Sequence, residues 1–371
     1  MRARAPKAVD VILLVLIAIL VVMGFFIFSS ASLGLLARDG ASVSSVAFSQ
    51  FFFGVIGGSI ALLITSNIYY RNWRQYAFYI FVAALFFTLL VFTPLGMTHA
   101  GATRWLDLGF TTVQPSEFLK IAFVIYVASL LSGTHKHLDS WRYGLAPFMA
   151  ALGIAGLVML SLPDTDTFMI MAGAGIAMFV TAGAKWRHIA FLGVTAVILL
   201  ATVAFMRPYV MDRITTFLNP DSDLQGSGYQ INQSLIAVGS GGVFGRGYGQ
   251  SIQKFEYLPE PIGDSIFAVY AEEFGFVGST ILITLLAFFT FRGFKIATQA
   301  EDVFGMLLVV GFMTLIVSQA FLNIAAMVGI APLSGLPLPF ISHGGTALVA
   351  VLASLGIVLN VSKYRLHEAR A

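Results

Sequence analysis

The sequence predicts an all-α, polytopic membrane protein with about ten transmembrane helices and one long, ordered extracytoplasmic loop. The composition is 58% hydrophobic and only 11% charged, whereas soluble domains carry about 25% charged residues. Apolar runs of about 20 residues, long enough to cross a bilayer as helices, recur along the whole chain. Collagen-like, disordered and disulfide-linked classes are excluded, as are thiolate metal sites, because the chain has no cysteine.

The predicted spans follow one another from the N-terminus, and roughly nine to twelve are consistent with the run lengths. The ten runs lie near 11–30, 46–66, 76–94, 117–132, 145–162, 167–182, 188–206, 266–291, 303–330 and 343–361. We expect the first to be a retained anchor, because no cleavage signature follows it. The 371 residues are therefore expected to form a single integral membrane domain.

The charges predict the orientation of these spans. With the N-terminus in the cytoplasm, most Lys and Arg fall in inside segments and most acids fall outside or within spans. This satisfies the positive-inside rule and predicts that both termini lie in the cytoplasm. The net charge of +3 is then explained by the orientation of the chain in the membrane. We therefore expect contact with membrane lipids and no binding of nucleic acid.

The connection between spans seven and eight, 207–264, is much longer than the others. Long structured loops usually carry function. Within it, 229–238 places Ile231, Leu235, Ile236 and Val238 on one helical side. An amphipathic helix in the membrane interface and a short buried helix fit this pattern equally well.

Two charged residues open the fourth span. Glu117 and Lys120 are three residues apart, so they share a helix face and are expected to form an ion pair. Pro115 just before them is typical of a helix start. Arg104, upstream on the outer surface, is a candidate for binding an anionic headgroup.

Two adjacent acids, Glu272 and Glu273, lie about 12 Å into span eight. A charge within lipid costs about 2.5–3.5 kcal/mol. At least one of the two should therefore line a wet cavity or pair with a cation. A purely structural ion pair fits the sequence as well as a functional one.

Asp264 stands where the long loop enters span eight at the outer membrane boundary. As an N-cap it would only satisfy the helix start. As a general base, a carboxylate fixed at the interface could deprotonate the hydroxyl of a lipid-borne substrate. The sequence supports both interpretations.

Several cations and acids of the loops are weaker candidates. Arg246, within the glycine-rich stretch 239–249, is suited to binding a diphosphate, as are Arg213 and Lys254. The stretches 164–166 and 221–223 have the Asp-x-Asp form that holds metals in some sugar-transfer sites, but cap or surface roles are commoner. The six histidines are scattered, so no structural metal site is predicted.

The segment 332–345 is rich in proline and glycine at the outer edge of span ten. Such a backbone cannot form a lipid-exposed helix, so it should be broken or re-entrant and packed in protein. Gln319 and Asn323 in span nine are expected to satisfy its free backbone amides.

At this point the chain resembles, over nearly its whole length, the SEDS family (shape, elongation, division and sporulation) that includes FtsW and RodA. The stretches that carry the resemblance are Gly-Ala-Thr-Arg-Trp-Leu at 101–106, Gln-Pro-Ser-Glu-Phe-Leu-Lys at 114–120, Phe-Leu-Asn-Pro at 217–220, Gly-Tyr-Gln at 228–230, Tyr-Leu-Pro-Glu at 257–260, Glu-Glu-Phe-Gly at 272–275 and Gly-Leu-Pro-Leu-Pro-Phe-Ile-Ser at 335–342. The loop around 253–259 is more similar to FtsW, and 236–242 is more similar to RodA. This sequence departs from the family pattern at Ile262-Gly263 and Ser265 around the aspartate, and at His343.

The resemblance implies a glycosyltransferase that polymerises lipid II on the outer face of the cytoplasmic membrane, at the division septum in FtsW-like members. It implies a class B penicillin-binding protein as partner, together with other division proteins. The family's catalytic aspartate falls on Asp264, functionally sensitive positions of the fourth span fall on Glu117 and Lys120, and Arg104 falls in the neighbouring family motif. Cations from Arg104, Lys120, Arg213, Arg246 or Lys254, oriented by Glu272 and Glu273, are expected to stabilise the diphosphate leaving group, with Mg²⁺ or Mn²⁺ as an optional helper.

Three other functions fit the sequence. A RodA-like polymerase would serve cell elongation instead of division. A lipid-precursor flippase or ion-coupled carrier would also need intramembrane acids and a broken helix, but it would place its key acids near the membrane midplane. A non-enzymatic scaffold that recruits the transpeptidase is the third alternative.

Overall fold

The computed structural model describes residues 8–37, 43–99, 102–107, 109, 112–219, 227–255 and 257–365, and it confirms the polytopic helical fold. The helices are α1 (Val11–Ser32), α2 (Val43–Ser49), α3 (Gly57–Asn67), α4 (Asn72–Leu89), α5 (Pro115–Gly133), α6 (Ala146–Ser161), α7 (Thr165–Thr181), α8 (Trp186–Met206), α9 (Pro208–Leu218), α10 (Ser227–Ser240), α11 (Ile266–Thr298), α12 (Val303–Met327) and α13 (Gly345–Ser362). Short 3₁₀ turns cover Leu33–Ala37, Leu90–Phe92 and His135–His137, and π-helical turns cover Gln50–Ile56 and Trp141–Leu145.

Nine helices of the described residues are long and apolar enough to cross a membrane, and α7 is a shorter apolar helix of 17 residues. The ends of the described chain decide whether α7 crosses as well. Arg365, after α13, forms an ion pair with Asp10, before α1. Both ends therefore lie on the same side, which requires an even number of crossings. The ten predicted spans are thus accounted for, with α7 as the sixth.

Helices α5, α12 and α13 form the interior of the bundle, and α8 lies at its periphery. α12 packs against α5, α7 and α11, while α13 packs against α3. A small antiparallel sheet that the sequence did not predict lies between α4 and α5. Its strands are β1 (Gly96–His99), β2 (Ala102–Asp107) and β3 (Thr112–Val113), with Leu106 paired to both Gly96 and Val113.

Asp10 joins three helices at the end of the bundle that holds both chain ends. Its side chain caps α1 at Leu13 N and accepts a 2.7 Å bond from Arg292 of α11 and a further bond from Arg365. Burial acts to raise the pKa of Asp10. The hydrogen bonds from Arg292 and the Leu13 N–H, together with the positive charges of Arg365 and Arg292, outweigh it, so the pKa lies below its ordinary value. Asp10 is thus held ionised at the centre of these contacts with Leu13 N, Arg292 and Arg365.

Helix α11 is broken at Gly275, which has φ 65° and ψ −162°. The glycine-rich loop 241–247 supplies the hydrogen bonds that the break removes. Its N–H groups at Arg246 and Gly247 donate to the carbonyls of Glu272 and Glu273 at 3.0 and 2.9 Å, and its carbonyls at 242 and 243 accept from the N–H groups at 276 and 277. A Cβ on Gly275 would lie 2.3 Å from Gly245 N, so only glycine fits.

This break changes the expected depth of the two acids. The part of α11 after the break, 276–298, is about 34 Å long and spans the hydrocarbon core by itself. On α1, Asp10 and Ser30 are about 30 Å apart, and they contact Arg292 and Glu273 on α11. These two contacts are therefore separated by about the thickness of the hydrocarbon core, which is consistent with a position of Glu273 near the end of the span rather than deep within it.

Candidate active site

Asp264 lies in a turn that other elements fix through its backbone. Asn323 Nδ2 of α12 donates to the Asp264 carbonyl at 2.8 Å, and Ser342 Oγ donates to the Gly263 carbonyl at 2.7 Å. The N-cap of α11 is Ser265. The N-cap interpretation of Asp264 is therefore wrong, and its carboxylate is left for other contacts.

The carboxylate of Asp264 is held through one oxygen. Gln230 Nε2 of α10 donates to Oδ1 at 3.1 Å, and Ser265 Oγ lies 3.3 Å from the same oxygen. Gln230 Nε2 also donates to Ser265 Oγ at 3.0 Å. Within the described part of the chain, no hydrogen bond reaches Oδ2. This second oxygen is available to accept a proton.

The surroundings raise the pKa of Asp264 to about 6. Burial of the carboxyl is the main cause and the negative charge of Glu260 adds to it, while hydrogen bonds from Gln230 and Ser265 and the charge of Arg213 act in the opposite direction. A base with a pKa near 6 remains ionised at neutral pH and accepts a proton more readily than an ordinary aspartate.

The segment 332–344, which is not helical, packs beside this turn as predicted. Asn323 Nδ2 donates to the Leu336 carbonyl, and Gln319 Nε2 donates to the Pro337 carbonyl, both at 2.8 Å. The sequence therefore identified the correct side chains, although they bind carbonyl groups rather than N–H groups. Asn323 thus joins this segment directly to Asp264.

Glu117 and Lys120 form the predicted ion pair, with a distance of 2.9 Å between Lys120 Nζ and Glu117 Oε1. Both side chains are buried. Lys120 Nζ also donates to Gln319 Oε1 at 3.0 Å, and Gln319 holds the Pro337 carbonyl. In this structure the pair supports the 332–344 segment.

The stretch 164–166 is the meeting point of β2, α9 and the 332–344 segment. Asp164 caps α7 at Thr167 N, and Arg104 Nη1 lies 3.9 Å from its Oδ1. Asp166 Oδ2 accepts a 2.6 Å bond from Arg213 and a 3.3 Å bond from Gly335 N. The side chains of Arg104 and Arg213 remain partly exposed, at 23% and 28%.

The remaining candidates lie where α1, α11 and the long loop meet. Lys254 Nζ contacts Glu273 Oε1 at 2.8 Å, the Gly249 carbonyl at 2.9 Å and Ser30 Oγ at 3.2 Å, and its side chain is 0% exposed. Glu272 accepts bonds from Ser251 Oγ and from the N–H groups at 252 and 253, with Arg246 Nε at 3.4 Å. Of the two cations here, only Arg246 faces solvent.

No group of three or more His, Asp or Glu side chains suited to a metal ion occurs in the described residues. The Asp-x-Asp pattern at 221–223 lies outside these residues. A divalent cation held by the protein alone therefore has no support from the described side chains.

The structure adds contacts at the site that the sequence did not predict. Gln230 belongs to the Gly-Tyr-Gln stretch that carries the family resemblance, but its contact with Asp264 depends on folding the long loop back. Ser265 departs from the family pattern and forms part of the same contact. Asp166 joins Arg213 to the 332–344 segment.

Comparison with known proteins agrees with this architecture. The family model for FtsW, RodA and SpoVE, described as a cell cycle protein, matches residues 10–367. Stage V sporulation protein E of Bacillus subtilis (strain 168) is 38% identical over 358 residues, which cover 96% of this chain and 97% of that protein. The probable peptidoglycan glycosyltransferase FtsW of Geobacter sp. (strain M18) is 35% identical over 360 residues, which cover 97% and 98% of the two chains.

Solved structures show the same fold. A chain from a peptidoglycan synthase complex, studied for its coordination of polymerization and crosslinking, is 25% identical with a TM-score of 0.79. The rod shape determining protein RodA of Thermus thermophilus is 25% identical with a TM-score of 0.70. Each alignment covers 97% of this chain and 99% of the other. The chain therefore belongs to the FtsW/RodA/SpoVE family of cell cycle proteins.

Proposed function

We propose that this chain is a peptidoglycan glycosyltransferase that polymerises lipid II into glycan strands for cell division, with Asp264 as its general base. The observation that carries the proposal is the Asp264 carboxylate, which is held through Oδ1, has Oδ2 free among the described contacts and has a pKa of about 6. Membership of a family whose relatives include probable FtsW glycosyltransferases supports the same activity.

The reaction needs one base and one stabilised leaving group. Oδ2 of Asp264 takes the proton from the acceptor sugar's 4-hydroxyl while that oxygen forms a bond to C1 of the donor sugar. The bond from C1 to the lipid diphosphate breaks, and the diphosphate leaves with the electron pair. A single displacement of this kind converts the α-linkage of the donor into a β-linkage in the polymer.

Arg104 and Arg213 are the cations best placed to stabilise the diphosphate. Both are partly exposed, and both are anchored by the 164–166 stretch close to the 332–344 segment. Guanidinium groups suit phosphate oxygens because their N–H donors form a rigid fork. Lys120 and Lys254 are buried in ion pairs, so we assign them to positioning these elements. Mg²⁺ or Mn²⁺, if used, would be bound through the diphosphate.

The cellular setting follows from the same proposal. The chain would lie in the cytoplasmic membrane with both termini inside, so that the Asp264 end faces outward, where lipid II is polymerised. A class B penicillin-binding protein is the expected partner, because a related chain comes from a complex that coordinates polymerization and crosslinking. Division proteins at the septum would recruit the pair.

Reconstitution tests the proposal directly. The purified chain, with its co-expressed class B partner, is placed in proteoliposomes with labelled lipid II, and the glycan product is separated on a gel. Wild type should form polymer and Asp264→Asn should not. Asp139→Asn is the matched control, since Asp139 is exposed in an ion pair with Lys185 at the opposite end. Absence of polymer from folded, partner-bound wild type would refute the enzymatic proposal.

The same vesicles separate the enzyme from a carrier. A flippase would move labelled lipid II between leaflets without forming polymer, and this movement would depend on Glu272, Glu273 or the Glu117–Lys120 pair. In the structure these groups are buried with partners already in place. This arrangement favours a structural role for them over ion transport.

A further inference from the structure

We propose that Gln230 is a positioning residue for the reaction, holding Asp264 by Oδ1 so that Oδ2 is the oxygen that accepts the proton. This inference rests on the proposed function. It rests also on the geometry of a single amide group that donates both to Asp264 Oδ1 at 3.1 Å and to Ser265 Oγ at 3.0 Å.

The two N–H bonds of this amide leave little freedom to the carboxylate. Ser265 Oγ accepts one bond from Gln230, and its own hydroxyl proton points to Asp264 Oδ1 at 3.3 Å. Both donors therefore converge on one oxygen of Asp264. The Asp264 carboxylate cannot rotate without losing the hydrogen bonds from Gln230 and Ser265 to Oδ1, so Oδ2 keeps a fixed direction.

Helix α10 holds Gln230 in place through a buried face. Ile231, Ser234 and Ala237 are all buried, and Ser234 Oγ contacts Met327 Sδ of α12 at 3.5 Å. Ser265 is also buried. The amide of Gln230 thus reaches Asp264 from a helix that is packed in place, and the long loop contributes this side chain to the site.

Gln230 also favours the ionised form of the base. Burial and Glu260 raise the pKa of Asp264, whereas Gln230, Ser265 and Arg213 lower it. Removing the amide donor should therefore move the acid limb of activity upward, by about one pH unit for a hydrogen bond to a charged group.

Gln230→Met, which keeps the length of the side chain and removes the donor, tests the proposal in partner-containing proteoliposomes between pH 5 and 8.5. The midpoint of the acid limb should rise by about one unit, which lowers the rate at pH 6 about fivefold beyond any change at pH 8. The plateau kcat should fall severalfold with KM for lipid II unchanged. Gln250→Met, in an exposed part of the loop, should leave the midpoint where it is.

Gln230→Glu is the second variant, because it preserves shape and adds a negative charge beside Asp264. It should raise the midpoint further than Gln230→Met. An unchanged midpoint in both variants, whatever the loss of rate, would show that Gln230 only packs the helix and would overturn the proposal. Failure of the proposed function looks different, since wild type would then form no polymer or Asp264→Asn would retain activity.

Discussion

Lys254 was predicted to bind the substrate diphosphate, but the structure places it in a fully buried contact with Glu273, Ser30 and the Gly249 carbonyl. Its three N–H donors are matched by these three acceptors. In Lys254→Met, the Ser30 hydroxyl is the one remaining donor to the Glu273 carboxylate among the described residues. Removing one partner of a buried pair costs about 3–5 kcal/mol, so we expect a loss of that size in the free energy of unfolding.

A double-mutant cycle separates this structural role from substrate binding. Glu273→Gln should cost a similar amount, because it leaves the Lys254 ammonium without its counter-charge. The double variant should cost clearly less than the sum of the two, since neither charge then remains buried alone. Unfolding by SDS in mixed micelles, followed by tryptophan fluorescence, measures each free energy. Lys185→Met is the control, because the exposed Lys185–Asp139 pair should contribute less than about 1 kcal/mol.

Activity measured in the same variants decides the question. If Lys254 is structural, the double variant should recover lipid II binding along with stability. The reasoning is refuted if Lys254→Met unfolds like wild type but no longer binds lipid II, and if the double variant with Glu273→Gln does not recover binding. That result would return Lys254 to the substrate site.

Three further predictions follow from the site and the fold. Because the pKa of Asp264 is about 6, polymerisation should fall about tenfold per pH unit well below pH 6 and level off above pH 7, as a pH–rate profile would show; a flat profile from pH 4.5 to 7 would contradict this. Gly275→Ala should sharply reduce the yield of folded protein in detergent, since its Cβ would overlap Gly245 N, whereas Gly153→Ala, where no atom lies within 4 Å, should not. Asp10→Asn should destabilise the protein by about 3 kcal/mol at neutral pH. Because the folded pKa of Asp10 is lowered, the wild-type advantage should be present at neutral pH and lost as the pH falls below the ordinary value of 3.8, as unfolding measured across pH would show.

Most of the fold could be predicted because apolar length and charge are local properties of the chain. Nine of the ten predicted spans coincide with helices long enough to cross a membrane, and the sixth falls on the shorter α7. The start of α5 at Pro115 and the helix within 229–238 were also found. Ile231 is buried whereas Leu235 and Ile236 are exposed, so the apolar residues of that helix do not form one buried face. The break at Gly275 was not predicted, because it depends on a loop some thirty residues earlier that supplies the missing backbone bonds.

The site was predictable in its residues more than in their tasks. The spacing of Glu117 and Lys120 was enough to predict their ion pair, because both lie on one helix. Spacing could not show that Gln319 accepts a hydrogen bond from Lys120 and donates one to the Pro337 carbonyl, because these residues are far from Lys120 in the sequence. Burial likewise depends on the packed structure, and burial is what separates Lys254 from the partly exposed Arg213.

The pKa of Asp264 could not be predicted from its neighbours in the sequence, because the groups that set it come from separate elements. Glu260 lies in the same turn, but Gln230 belongs to α10 and Arg213 to α9, and both act to lower the pKa that burial raises. The long loop therefore does more than cover the site, since it supplies two of the groups that keep the base ionised. It follows that substitutions in this loop, without any change at Asp264, should shift the pH range in which the enzyme works.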